Sequence, residues 1–213
     1  MVNAILVRDN ADVALGDFFE NCHNQTKAIV ESVGDVSVDE MESTHIDTDI
    51  VINMKINSLH PYPFLFISYT HGNETALLKD GRMPFIAVGQ NHQLLKNACV
   101  YCYACKAGKE LGRAIIHAGG KCFVGYNDSV EVHLRQPEIF AECATHFIRS
   151  FSANNNVIQS AQEMKAKYTE HIDNIYKTNA LSAASLVKNR DAIVIHGDNG
   201  LSLNDFRTTP NSF

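Results

Sequence analysis

The apolar positions of this chain fall into short runs separated by helical stripes. Ala4 to Val7 is apolar and stops at Arg8, Asp9 and Asn10, which predicts a first strand running into a loop. Asp12 is placed to cap a helix. From Val13 to Val33 the residues Leu15, Phe18, Phe19, Cys22, Ile29, Val30 and Val33 recur at roughly helical spacing until Gly34 stops them. Ile50, Ile52, Met54 and Ile56 alternate with other residues, which predicts a strand over Ile50 to Ile56. Tyr62 to Tyr69 is nearly all apolar, is bounded by Pro61, Pro63 and Gly72, and is too short for a buried helix, so it reads as a central strand.

Ala98 to Ala104 has the same character. It feeds the helical stripe of Ala107, Leu111, Ala114 and Ile115 over Lys106 to His117, which Gly119 and Gly120 end before Lys121 to Tyr126 resumes as a strand. That order is a βαβ unit with parallel strands. Helices are predicted over Pro137 to Phe151, Asn156 to Tyr176 and Ala180 to Leu186, and a last strand over Ala192 to Ile195, ahead of His196, Gly197 and Asp198. The alternation predicts an α/β fold with a mainly parallel central sheet flanked by helices, and residues 1–213 read as a single domain.

Composition changes this picture little. With 45% apolar and 20% charged residues and only 5 Pro in 213 positions, the chain is of the kind that buries a core and folds by itself. The net charge of -6 comes without a dense Lys/Arg cluster, so a nucleic-acid partner is not expected. No apolar run approaches the roughly 20 residues of a membrane span, and Arg8 and Asp9 cut the N-terminal run too short for a secretory signal. A cytoplasmic protein with no membrane partner is the expectation, with free thiols at Cys22, Cys99, Cys102, Cys105, Cys122 and Cys143.

Ligands of open α/β sheets bind off the carboxyl ends of the strands. His71 stands just beyond the strand Tyr62 to Tyr69 and precedes Gly72; Cys105 ends the strand Ala98 to Ala104 and is expected to open the next helix. If the two strands are neighbours, about 5 Å apart, thiol and imidazole share one crevice. A helix starting at Cys105 would favour its thiolate through the amides of its first turn, with Lys106 and Lys109 adding positive charge. The amides of Gly72 and Cys105 would then accept an oxyanion.

An apolar strand ending Tyr69-Thr70-His71-Gly72, then one ending Tyr103-Ala104-Cys105-Lys106-Ala107-Gly108, resembles the caspase-like cysteine peptidases: caspases, metacaspases, separase, gingipains and the bacterial CHAT proteases. The histidine-before-cysteine order is theirs. The stretch from Gly108 to Tyr126 looks most like the CHAT and bacterial caspase-like branch. The resemblance covers Tyr62 to Tyr126 well and the rest loosely. It implies a caspase-haemoglobinase-like fold, a cysteine endopeptidase with Cys105 as nucleophile and His71 as proton carrier, a protein substrate, and a regulatory or defence role in bacteria. Relatives that cut after Arg or Lys commonly have an acid two residues before the nucleophile, where this chain has Tyr103. Asp128 and Glu131, beyond the strand Lys121 to Tyr126, are therefore the candidates for an acidic substrate-binding pocket.

Other patterns carry less. In Cys99-x-x-Cys102-x-x-Cys105 the residues between favour a strand, whose alternation turns Cys102 away from the other two, so no metal site is expected. No phosphate-binding loop is present and no cofactor is expected. His196 also ends a strand, but it comes after the cysteine. His117 reads as a helix C-terminal residue. The alternative function is a catalytically silent α/β module that binds a protein partner or small ligand through the same crevice.

Overall fold

The computed structural model describes residues 1–43, 46 and 49–208. The chain runs β1 (Val2–Arg8), α1 (Gly16–Glu31), β2 (Val36–Met41), α2 (Asp49–Asn57), β3 (Phe64–Tyr69), β4 (His71–Gly72), β5 (Ala76–Lys79) and β6 (Met83–Ala87). It continues as β7 (Ala98–Tyr103), α3 (Glu110–His117), β8 (Cys122–Tyr126), α4 (Pro137–Ser152), α5 (Val157–Ile175), α6 (Ala180–Asp191) and β9 (Ile193–Gly197). Six strands form the central sheet in the order β2-β1-β3-β7-β8-β9, parallel throughout except for β9, which runs antiparallel to β8. This is the α/β architecture with a mainly parallel, helix-flanked sheet that the pattern predicts, and it is consistent with a caspase-like fold.

The inner strands are apolar at almost every position because both faces are covered. In β7, Cys99, Tyr101 and Tyr103 pack into the layer under α1, α4 and α5, while Ala98, Val100 and Cys102 face the layer holding Ile52 and Ile56 of α2 and Leu111 and Ile115 of α3. Each fully buried ring, such as Tyr101, Phe123 or Phe147, contributes about 1.5–3 kcal/mol by leaving water. From β1 the chain passes out to β2 and returns to β3 on the far side of β1. The crevice of this topology therefore lies at the carboxyl ends of β1, β3 and β7.

The structure corrects several expectations. Ile50 to Ile56 lies within helix α2, not a strand. Ile52 and Ile56 are four apart and share a face in either conformation, but Met54 between them is 69% exposed, which only the helical period accommodates. Helix α3 begins at Glu110, four residues after the expected start at Lys106, because the main chain after Cys105 is held in a turn. β3 starts at Phe64, leaving Tyr62 exposed, and α6 runs on to Asp191. β2 and the small antiparallel sheet β4-β5-β6 are additions to the predicted elements. The β5–β6 turn carries a readable signal, Asp80-Gly81 at φ 52° and 66°, the dipeptide of a tight hairpin.

Candidate active site

Strands β3 and β7 are adjacent and parallel, with Tyr69 paired to Tyr103 in register and the Thr70 amide donating to the Tyr103 carbonyl at 3.4 Å. His71 and Cys105 each lie two residues beyond that pair. Both line one small cleft, about 20 Å³, together with Leu15 and Phe19 of the α1 region, Tyr103, and Val130 and Val132 of the β8–α4 connection. The two strands are thus neighbours, as a shared crevice requires, and the two candidate residues line the same space.

The imidazole is held from behind. His71 Nε2 is 3.1 Å from Asp12 Oδ2, an ion-pair contact without the alignment of a full hydrogen bond. Phe19 meets the same ring edge-on, with centroids 5.4 Å apart. Asp12 is itself fixed, its Oδ1 accepting from the amides of Ala14 (3.0 Å) and Leu15 (2.6 Å) in the turn entering α1. Burial raises its pKa, but the Leu15 amide and His71 outweigh that, and the net shift is downward. The sequence pattern marks Asp12 only as a cap; its second oxygen carries the contact that matters here.

Asp9, at the end of β1, is fully buried, and desolvation raises its pKa against hydrogen bonds from Ser43 Oγ and the Asp80 amide, both at 2.7 Å. One ligand atom each from Asp9, Asp12 and His71 lie within 4.8 Å of one another, a nitrogen and two carboxylates of the type that can hold a divalent cation.

Cys105 is the one thiol of the six that is not buried. The other five behave as small core residues. Burial pushes the Cys22, Cys102 and Cys143 thiols up, and Cys122 donates to Cys99 at 2.9 Å across the β7–β8 register. The Val130 amide donates to Cys105 Sγ at 3.3 Å and the thiol donates in turn to the Val130 carbonyl at 3.8 Å, which fixes the sulfur against the β8–α4 connection. Lys106 comes next at φ 58°, its amide donating to the Asp128 carbonyl (3.0 Å), and the Gly108 amide donates to Tyr126 O (2.8 Å). These bonds keep residues 105–109 out of the helix. The amides of Glu110 and Leu111 are taken by the Glu74 carbonyl, and Lys109 pairs with the Glu74 carboxylate at 2.7 Å. The helix dipole and Lys109, expected to activate the thiol, are therefore engaged by Glu74 instead.

Gly72 stands where no side chain fits. A Cβ there would come within 2.9 Å of Ala104 Cβ and 3.0 Å of the Cys105 carbonyl oxygen, so the main chain after His71 lies directly against that of Cys105.

The candidates for substrate recognition separate. Tyr103 lines the cleft, 2% exposed, and its hydroxyl has no hydrogen-bond partner among the described residues. Asp128 is exposed, its carboxylate accepting from the Ser129 amide at 2.7 Å. Glu131 goes to α6, where Lys188 (2.6 Å) and Ser185 bind it and pull its pKa down. Neither carboxylate belongs to the cleft lining. Val130 and Val132 take that side instead, as alternation about Glu131 along an extended segment would place them. His196 binds the Gly108 carbonyl at 2.6 Å, and His117 is in the last turn of α3.

No helix among the described residues is long and apolar enough to cross a membrane. No family model matches the chain, and no curated protein matches it in sequence.

Proposed function

We propose that this protein is a cysteine endopeptidase of the caspase-like kind, cutting a protein partner. The observation that carries the reading is the partly exposed thiol of Cys105 and the imidazole of His71 lining one cleft, with the imidazole backed by the Asp12 carboxylate. Asp12 on Nε2 leaves Nδ1 as the nitrogen that accepts the thiol proton. The thiolate then adds to the scissile carbonyl, and the Gly72 and Cys105 amides receive the oxyanion. His71 passes the proton to the leaving amine as the carbon–nitrogen bond breaks, leaving an acyl-cysteine. Water, deprotonated by the same imidazole, releases the carboxylate product, and the proton returns to the thiol. Asp12 acts by orienting the ring and stabilising its cationic form, as a third member beside the cysteine and histidine.

The resemblance to the bacterial CHAT and caspase-like branch supports a role in defence or regulated proteolysis. The fold class expected from that resemblance is the one observed. A second reading, the catalytically silent binding module, draws support from the narrowness of the cleft. Two measurements on the full chain decide between them. Incubation with a peptide library, read by mass spectrometry, detects cleavage sites that vanish in Cys105→Ala if the peptidase reading is right. Iodoacetamide alkylation of Cys105 well below pH 8.5, the range of an ordinary thiol, marks an activated nucleophile. No cleavage together with ordinary thiol reactivity would leave the silent module.

A further inference from the structure

Resting on the peptidase reading, we infer that the cleft beside Cys105 receives the substrate side chain just before the scissile bond, and that it takes a compact, uncharged one of about alanine size.

The walls decide the chemistry. Leu15, Phe19, Val130 and Val132 are apolar and Tyr103 presents a ring, so a charged side chain entering between them loses water without meeting an opposite charge. The acids that would receive Arg or Lys are committed elsewhere. Glu131 is bound by Lys188 and Ser185, Asp128 is exposed on its own turn, and Asp12 serves His71 and the α1 turn. No Lys or Arg lines the cleft to receive an acidic side chain. Thr70, the other polar residue of the lining besides His71 and Cys105, is neutral, and its hydroxyl already donates to the His71 carbonyl at 3.1 Å.

Volume sets the size. A cavity of about 20 Å³ holds little more than one water or one methyl group, and Phe19 and Tyr103, each 2% exposed, are packed against the core and cannot swing aside cheaply. A long aliphatic or aromatic side chain would need the β8–α4 connection to move away from Sγ, breaking the Val130 contacts at 3.3 Å and 3.8 Å.

The test uses four peptidyl acyloxymethyl ketones that differ only at the residue before the reactive ketone: Ala, Val, Arg and Asp. Each alkylates a peptidase cysteine with loss of its carboxylate, and intact-mass spectrometry of the full chain gives the rate. The Ala probe should label Cys105 on the order of 100-fold faster than the Arg and Asp probes, with the Val probe slower than Ala. Val132→Asp, checked for native circular dichroism, should raise the Arg rate relative to the Ala rate at least tenfold; the wild-type ranking stands as a test if that variant misfolds. An Arg or Asp probe labelling wild type as fast as the Ala probe overturns this inference and leaves the peptidase reading intact. Labelling by none of the four, with iodoacetamide still reacting, overturns both.

Discussion

Gly72 and Cys105 touch through their main chains: a methyl group on Gly72 would stand 3.0 Å from the Cys105 carbonyl oxygen. Ala104 and Cys105 close off the same space, so the strain of an added Cβ falls on the turn that carries the Cys105 thiol. Gly72→Ala should cost about 1–3 kcal/mol of stability. It should also lower peptide cleavage more than it lowers alkylation of Cys105 by iodoacetamide, which makes no use of an oxyanion site. Urea unfolding and parallel rate measurements check both halves; equal losses in the two rates would argue against an oxyanion role.

Asp12→Asn keeps the shape of the side chain and removes its charge behind His71. Cleavage should fall by a factor on the order of 10 to 10³, in kcat and not in KM, with the thermal midpoint little changed. Asp12→Glu should recover part of the loss. A fall in the midpoint that matches the fall in activity would reduce Asp12 to a cap for the α1 turn.

The two kinds of cysteine should part in a mutant series. Cys105→Ala should abolish cleavage and leave the unfolding midpoint near wild type, because Cys105 sits on a partly exposed turn. Cys102→Ala, fully buried beneath α3, should keep activity and lose about 1 kcal/mol or more. The reverse pattern would assign catalysis to the wrong thiol.

His23 supplies a pH dependence apart from the site. It is buried in α1, and its Nε2 accepts from Arg8 Nη1 at 2.9 Å, which requires that nitrogen to be unprotonated. Burial, and then the Arg8 charge, lower its pKa below the ordinary 6.5. A histidine held neutral in the fold contributes stability that is full above the unfolded value and is lost as pH falls through 6.5 toward the folded one. The thermal midpoint should therefore drop between about pH 7.5 and 5.5, above the range where most carboxylates titrate. His146, lowered by its own burial, adds to the same window. In His23→Gln, which keeps an acceptor for Arg8, the drop should shrink; an unchanged pH profile would place the dependence elsewhere.

What can be read from sequence tracks how each element is stabilised. β3 and β7 are buried on both faces, so their apolar runs name them unambiguously, and with them the neighbouring positions of His71 and Cys105. β2 is an edge strand with Asp39 and Glu40 in its middle, and it owes its place to pairing with β1, which no local pattern states. Ile52 and Ile56 satisfy both periods, and only exposure of Met54 separates them. The link from Asp12 to His71 joins the ends of two strands and has no local signature. The alternation around Glu131 is present in the sequence and, carried through, points its neighbours Val130 and Val132 to the cleft.

The fully buried Asp9 carboxylate ties the end of β1 to Ser43 after β2 and to the Asp80 amide in the β5–β6 turn. Opening that hairpin would strand the carboxylate without its donors, so the turn cannot fray as a surface loop ordinarily does. Exchange of the Asp80 amide with deuterium should accordingly be slow for a turn residue and should track the larger openings that also uncover His71. One backbone amide thereby reports on how often the rim of the cleft comes apart.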